Sequence, residues 1–266
     1  MMPIFIHDKF LGYKVMAIAS LNFFAHIEGL ELEQIEISPL HPSVKKISLK
    51  TPDEQKLTID FELIDIFSKK EALSIVGDLI GPLINRVSYE FDCPIGEPKC
   101  IGMSLPTDSS GVHHVVTGEL ICLNDILSET LKPKKKRLEA LRQSLELLAA
   151  ETDVCLSLYR FCLGQKDSLA RFLSLYHLIL IIAADERESQ LSVDRAIARI
   201  DPTVEWTVKP NIKGKKLETK FTRLRNEIAH RRPGKTLVET RKEIDESVDS
   251  LRAIAKKLIS IRIQNP

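Results

Sequence analysis

The chain has 266 residues, 44% of them hydrophobic and 28% charged, which is the balance of a folded globular protein rather than of a disordered chain. Its net charge of +1 conceals an asymmetry, because residues 1–125 carry 10 basic and 18 acidic side chains whereas residues 126–266 carry 28 and 19. Five cysteines without repeated close pairs are not a disulfide framework, and no apolar run resembles a membrane span or a signal peptide, so we expect a reduced, cytoplasmic protein.

Apolar and polar residues alternate along several stretches of the acidic first segment, and this alternation predicts strands. It is clearest in residues 30–37 and 57–63, with shorter versions at residues 15–19 and 47–49. Residues 112–120 are the candidate for a last strand. An alternating strand exposes one face to water, so these stretches predict an antiparallel sheet.

A helix is predicted to follow the first strands and to cover one face of their sheet. Residues 68–88 change from alternation to helical spacing. Ser68 and Glu71 are placed as a capping box at the start of this helix. Pro82 lies in its interior and is expected to kink it.

Two cysteines and two adjacent histidines raise the question of a metal site. Cys93 and Cys100 could join His113 and His114 around zinc, but this spacing fits no standard zinc finger. Neighbouring residues of a strand point to opposite faces, so the two imidazoles would not converge without a bulge. We therefore predict no metal site and no cofactor, and we interpret the two histidines as surface positions.

A basic run at residues 132–137, Lys-Pro-Lys-Lys-Lys-Arg, marks the predicted domain junction. A solvated linker ranks first as its role, contact with nucleic acid second and a nuclear import signal third. Residues 1–130 before it are predicted to form an antiparallel β-rich domain, whose acidic surface is a candidate site for a protein partner. Residues 133–264 after it are predicted to form an all-helical bundle, which makes the fold class α+β.

Helical spacing continues through most of the second segment. The predicted helices span residues 138–162 (one long helix or a broken pair), 168–185, 191–200, 217–230 and 238–263, with a basic loop at 201–216. The helix that begins at Ser168 is apolar around much of its circumference, as expected at the centre of a bundle or at a subunit interface. His177 in its middle is interpreted as a core or interface histidine. Cys155 and Cys162, seven residues apart on one apolar face, are assigned to packing.

The stretch from Phe221 to His230 carries the candidate functional residues. Arg225 should lie on a helix and His230 at its C-terminal end, which places a permanent cation and an imidazole one and a half turns apart. A guanidinium can clamp a phosphate with two hydrogen bonds, and an imidazole can give or take a proton near neutral pH. A basic helix end that complements its own dipole is the structural alternative, but it does not account for Asn226 beside the arginine.

The run Arg-Asn-Glu-Ile-Ala-His at residues 225–230 resembles the R-polar-x-x-x-H motif of HEPN domains, all-helical modules of many RNA-cutting toxins and defence proteins. Residues 156–160 and 170–176 look like the corresponding helices of the MauJ-like and ApeA-like HEPN groups, which also carry a β-rich domain in front. The resemblance covers residues 133–264. It implies a homodimer in which the arginine and histidine of two chains line a shared cleft that cuts RNA without a metal.

This chain departs from those groups at one point. They often have an acidic residue shortly after the tyrosine that matches Tyr176, whereas here residues 178–181 are apolar and the next acidic pair is Asp185-Glu186. A supporting contact to the motif arginine is then either missing or supplied from elsewhere.

The resemblance assigns the catalytic roles to Arg225, Asn226 and His230. Arg225 would hold the scissile phosphate, His230 would act as general acid or base, and Asn226 would orient the histidine or the phosphate. Sequence-independent contacts to RNA are predicted from Lys213, Lys215, Lys216, Arg223, Arg231 and Arg232, with a solvated basic face as an equally good interpretation. Two alternatives to an endoribonuclease stay open, a non-catalytic HEPN-like scaffold and a module that binds a nucleotide or another small anion.

Overall fold

The structure is a computed structural model, and it describes residues 17–37, 41–53, 55–106, 112–116, 138–139, 141, 143, 150–184, 189–209, 216–230 and 236–264. These residues form an antiparallel sheet followed by helices, so the predicted α+β class is confirmed. The predicted junction at residues 132–137 lies outside the described residues. Within the described residues, no helix is both long enough and apolar enough to cross a membrane.

Six antiparallel strands make up the main sheet. They are β1 (Ile18–His26), β2 (Ile35–Ile37), β3 (Val44–Asp53), β4 (Lys56–Ile64), β5 (Lys99–Pro106) and β6 (Val112–Val116). Their order is β2-β3-β4-β1-β5-β6, so β1 and β4 lie at the centre. Buried and half-buried residues alternate along β4, as the sequence pattern predicts. The predicted strand at residues 30–37 is real only over its last three residues, and β5 was not predicted.

One long helix, α1 (Lys69–Phe91), covers this sheet. Its apolar stripe shares a hydrophobic core with the inward side chains of the strands, and Ala72, Val76, Ile84 and Val87 are all fully buried. The helix continues past Pro82. Ser68 is its N-cap residue, but its side chain makes no capping hydrogen bond, so the predicted capping box does not form.

The second part of the described chain is mainly helical. Its helices are α2 (Ala150–Leu163), α3 (Ser168–Ala183), α4 (Gln190–Ile200), α5 (Lys220–Ala229) and α6 (Leu237–Gln264), and α6 packs along α3. A small hairpin, β7 (Trp206–Val208) and β8 (Leu217–Thr219), stands between α4 and α5. The predicted loop therefore contains a strand, and the predicted motif helix begins three residues later than its apolar spacing indicated.

Polar contacts join the helices to the end of α1 and the chain beyond it. The guanidinium of Arg160 on α2 donates to Asn85 Oδ1 at 2.7 Å and to the carbonyl oxygen of Ile95 at 3.0 Å. The Tyr159 hydroxyl donates to the carboxylate of Asp92, the C-cap residue of α1. Tyr89 of α1 lies in the core of the helices rather than in the core of the sheet. The sheet and the helices are therefore packed against each other.

The structure gives positions for the histidines and cysteines singled out in the sequence. His177 is exposed on α3, between the buried positions of its helix, so it is not a core histidine, and its interpretation as an interface histidine stays a prediction. Cys155 and Cys162 are both buried, and burial raises the pKa of the Cys162 thiol to about 12. His113 and His114 lie on β6 opposite Leu105 and Ser104. Across the described ranges, no three side chains of His, Cys, Asp or Glu cluster as metal ligands do.

Candidate functional site

The motif helix α5 begins on a buried cluster of hydroxyl groups. Thr219 is its N-cap residue, and its hydroxyl oxygen accepts from the backbone N–H of Thr222, the capping role that threonine commonly fills. Asp194, which α4 supplies, is 1% exposed. It accepts hydrogen bonds from the backbone and hydroxyl of Thr219 at 3.0 and 2.7 Å and from the hydroxyl of Thr222 at 2.6 Å. These bonds fix the start and the rotation of α5 against α4.

Tyr176 of α3 joins the same cluster. Its hydroxyl lies 2.9 Å from that of Thr222. The pKa of Tyr176 is raised to about 12, chiefly by burial, while the Thr222 hydrogen bond and Arg225 lower it and the carboxylates of Asp194 and Glu218 raise it. Tyr176 is therefore a neutral phenol over the physiological pH range, and its position ties α3 to the motif helix.

Asn226 is the centre of a second set of contacts. Its amide nitrogen donates to Glu218 Oε2 at 2.9 Å, and its amide oxygen accepts from Gln190 Nε2 at 2.9 Å. Asn226 is 7% exposed and Glu218 is fully buried. Lys209 completes the set, because its ammonium group lies 3.2 Å from Gln190 Oε1 and 3.9 Å from Glu218 Oε2. The polar residue of the motif is thus held rigidly from two sides.

Arg225 takes its orientation from this asparagine. Its Nη1 donates to Asn226 Oδ1 at 3.1 Å. No carboxylate among the described residues lies within ion-pair distance of the Arg225 guanidinium, which is half-buried on α5. Asn226 therefore supplies the supporting contact to Arg225, and the buried carboxylate of Glu218 on β8 positions the Asn226 amide. The side chain keeps its full positive charge for a ligand.

Arg223 has the opposite surroundings. Its guanidinium pairs with Glu227 at 2.9 Å and with Glu243 of α6 at 2.5 Å, and its side chain is 13% exposed. Burial lowers the pKa of Arg223, but the two carboxylates outweigh this effect and raise it. This arginine fastens α5 to α6, so the geometry does not favour the predicted role of Arg223 in binding RNA.

His230 ends the motif helix at the surface. It is the C-cap residue, and its backbone N–H donates to the carbonyl oxygen of Asn226 at 2.8 Å. Its imidazole is exposed and has no hydrogen-bond partner within the described part of the chain. Five helical residues rise roughly 7.5 Å, which sets the scale of the separation between the backbones of Arg225 and His230.

Of the other predicted RNA-binding residues, the structure describes only Lys216. Lys216 is exposed beside the β7–β8 hairpin, and its carbonyl oxygen accepts from the backbone N–H of Lys209 at 2.8 Å. The remaining four residues, Lys213, Lys215, Arg231 and Arg232, lie outside the described residues. The structure therefore places Arg225 and Asn226 in contact on α5 and His230 at the C-terminal end of that helix, and most of the predicted RNA-binding residues lie outside the described residues.

The buried residues that support the motif were not predicted from the sequence. Gln190 and Asp194 are four residues apart on α4, and the threonines of the helix start are three apart, which are the spacings of side chains on one helical face. Those spacings were the available signal. Nothing in the local pattern identifies Glu218 as buried, because an acidic residue in a basic stretch ordinarily faces water.

Comparisons of the chain with protein-family models, with curated proteins and with solved structures find no match. The geometry alone therefore indicates what the site can do. One copy of the chain presents a guanidinium that no described carboxylate pairs with, a fixed amide and, at the end of the same short helix, an exposed imidazole. These groups can bind a phosphodiester and move a proton near it.

Proposed function

We propose that the helical part of the chain binds RNA and cleaves it without a metal ion, in a cleft shared by two copies. One observation carries the proposal: on α5, Arg225 is oriented by a buried asparagine while its charge stays unpaired by any described carboxylate. A purely structural arginine at this depth would be expected to resemble Arg223, which two carboxylates neutralise. The resemblance of residues 225–230 to the HEPN motif supports the same function.

The chemistry follows from the groups available. The 2′-oxygen of a ribose attacks the adjacent phosphorus, its proton passes to one imidazole, and a new O2′–P bond forms. The P–O5′ bond then breaks, and the 5′-oxygen of the leaving strand takes a proton from a second imidazole. Arg225 neutralises the charge that grows on the non-bridging oxygens. The products are a 2′,3′-cyclic phosphate and a free 5′-hydroxyl.

Two copies are needed for this scheme because one motif has a single histidine. A two-fold axis near His230 would supply the second imidazole and the second guanidinium from identical residues. Asn226 would keep each arginine aligned, since its own amide is fixed by Glu218 and Gln190. A HEPN-like homodimer is therefore part of the proposal.

The test is cleavage of labelled single-stranded RNA by the full chain in the presence of EDTA. We expect wild type to give cyclic-phosphate ends and the variants Arg225→Ala and His230→Ala to give none. His26→Ala is the matched control, because His26 is a half-exposed histidine on the sheet, paired with Glu28 and remote in sequence from the motif. Circular dichroism and the mass of the native particle verify folding and association for each variant.

Three results would overturn the proposal. They are cleavage that persists in His230→Ala, cleavage that EDTA abolishes, and intact RNA after incubation with a wild-type dimer. In the third case, salt-sensitive binding of RNA would indicate a binding module, and the absence of binding would indicate a scaffold.

A further inference from the structure

A second basic feature lies away from the motif, on the outer side of α4. A cavity of about 360 Å³ is lined by Ile182, Ala183, Ser192, Arg195, Ala196 and Arg199. The wall from the end of α3 is apolar, and the wall from α4 carries two guanidiniums and a hydroxyl. Its volume is at the lower end of small-molecule pockets, which are roughly 300–1,000 Å³.

The two arginines of this cavity have no counter-ion in the described part of the chain. Arg195 and Arg199 are both exposed, and neither makes an ion pair or side-chain hydrogen bond with a described residue. The nearest acidic residue in sequence, Asp194, is buried on the inner side of α4 with its threonine partners. Asp201, just beyond α4, accepts from Thr203. Among the described residues, the charged side chains that line the cavity are therefore both basic.

Helix geometry places the arginines side by side. Residues four apart on a helix lie on the same face, so the guanidinium groups of Arg195 and Arg199 are neighbours at the cavity. Gln190 and Asp194, which contact the motif helix, lie on another face of α4. The helix dipole accounts for Arg199, which is in the last turn, but not for Arg195 in the middle of the helix.

We propose that this cavity binds a nucleoside monophosphate. The phosphate would lie between the guanidiniums of Arg195 and Arg199 and accept from the Ser192 hydroxyl, since paired arginines match phosphate oxygens in geometry and charge. The ribose and base would contact the apolar wall of Ile182 and Ala183. The site uses no residue of the proposed ribonuclease motif, so it is independent of that function.

Titration calorimetry with adenosine 5′-monophosphate tests the site, with adenosine and inorganic phosphate as partial ligands. We expect wild type to bind the monophosphate and Arg195→Gln/Arg199→Gln to bind it at least roughly tenfold more weakly. A tenfold loss corresponds to the lower end of the free energies of hydrogen bonds to charged groups. Inorganic phosphate should bind more weakly than the nucleotide and compete with it. Adenosine should bind least, because it has no anionic group.

The matched control is Lys242→Gln/Lys257→Gln, which removes two positive charges from exposed positions on α6. This variant should bind the monophosphate as wild type does, and so should Arg225→Ala/His230→Ala. Equal weakening in the lysine and arginine variants would overturn the site, because general electrostatics would then explain the binding. Absence of binding at millimolar nucleotide, or adenosine binding as tightly as its monophosphate, would also overturn it.

Discussion

At the scale of single residues, Arg223 and Arg225 differ in how their charge is balanced. Arg223 is held by Glu227, itself only 6% exposed, and by Glu243. Arg225 donates to the neutral amide oxygen of Asn226, which would still accept from Gln190 if the arginine were removed. The first arginine therefore contributes to the fold, and the second is free to act on a ligand.

This contrast predicts unequal losses of stability. Arg223→Ala should lower the free energy of unfolding by about 3 kcal/mol, because it leaves the buried Glu227 without its cationic partner and with only the Thr240 hydroxyl as a donor. Arg225→Ala should lower it by about 1 kcal/mol or less, the usual net contribution of one neutral hydrogen bond. Urea unfolding of both variants provides the measurement. A larger loss for Arg225→Ala than for Arg223→Ala would show that the assignment of roles is inverted.

A second residue-scale prediction concerns Glu218. Glu218→Gln nearly preserves the size of the side chain, but it removes the negative charge that faces Lys209. It also replaces the carboxylate that accepts from the Asn226 amide with a neutral amide oxygen, which is a weaker acceptor. We expect a loss of about 1–3 kcal/mol in urea unfolding, in the range of a disrupted buried bond to a charged group. Glu97→Gln is the control, since Glu97 is 79% exposed and its ion pair with Arg160 should contribute little. Equal unfolding midpoints for the two variants would contradict the structural role of Glu218.

At the scale of elements, α2 is one connection between the sheet and the helices. Arg160 contributes to it with bonds to Asn85, to the carbonyl of Ile95 and to Glu97, and its side chain is 14% exposed. The Tyr159 hydroxyl adds a bond to the cap of α1. These contacts predict that the described parts of the chain unfold together.

Arg160→Ala should weaken this connection. We expect a loss of about 2–3 kcal/mol, because the side chain of Asn85 and a backbone carbonyl lose a charged donor. Trp206, the only tryptophan, reports on the helical part by fluorescence, while circular dichroism reports on the whole chain. Arg241→Ala, which removes an exposed pair with Asp167, should change stability by no more than about 1 kcal/mol. Equal unfolding midpoints for wild type and Arg160→Ala would contradict this role of Arg160.

The elements also show how far the sequence determines the fold. The long periodic stretches, α1, α3 and α6, were predicted to within a few residues, because each has a sustained apolar stripe that burial requires. The β7–β8 hairpin was not predicted, because its strands have only three residues each. β5 was not predicted either, because its segment becomes a strand by pairing with β1, which is distant in sequence. Long-range pairing of this kind has no local signature.

The same limit applies to the candidate site. Arg225 and His230 were predicted from a local motif, and the helix that carries them exists with His230 at its end. The supporting residues Asp194, Glu218 and Gln190 come from other elements, and only the packing of α4, β8 and α5 brings them together. The motif is therefore visible in the sequence, and its support is visible only in three dimensions.

At the scale of the whole molecule, buried phenols predict how stability depends on alkaline pH. Three of the four tyrosines, Tyr89, Tyr159 and Tyr176, have a raised pKa, in each case chiefly through burial, and that of Tyr176 reaches about 12. A pKa raised by folding means that the stabilisation is complete below the unfolded value of 10.0 and is lost as pH rises from there toward 12. Unfolding free energies should therefore fall in that interval.

Urea unfolding at a series of pH values, combined with the ultraviolet absorbance of tyrosinate, measures this effect. We expect the three buried tyrosines to ionise only as the protein unfolds, and the decline above pH 10 to be smaller in Tyr176→Phe. Trp206 fluorescence marks unfolding independently of tyrosine ionisation. Ionisation of all four tyrosines near pH 10 in protein that is still folded would contradict the burial of these side chains.

The proposed shared cleft makes a prediction that only an assembly of two copies can satisfy. The scheme needs His230 from both chains, so a mixed dimer of wild type and the Arg225→Ala/His230→Ala double variant has only one imidazole and one guanidinium in the shared cleft. An excess of the double variant should therefore suppress cleavage by wild type as mixed dimers form. The control adds the same excess of His26→Ala, which keeps Arg225 and His230 and should suppress nothing. If native mass shows mixed dimers and cleavage per wild-type chain is unchanged, the arginine and histidine of one chain are sufficient. The site would then need a different second proton-transfer group.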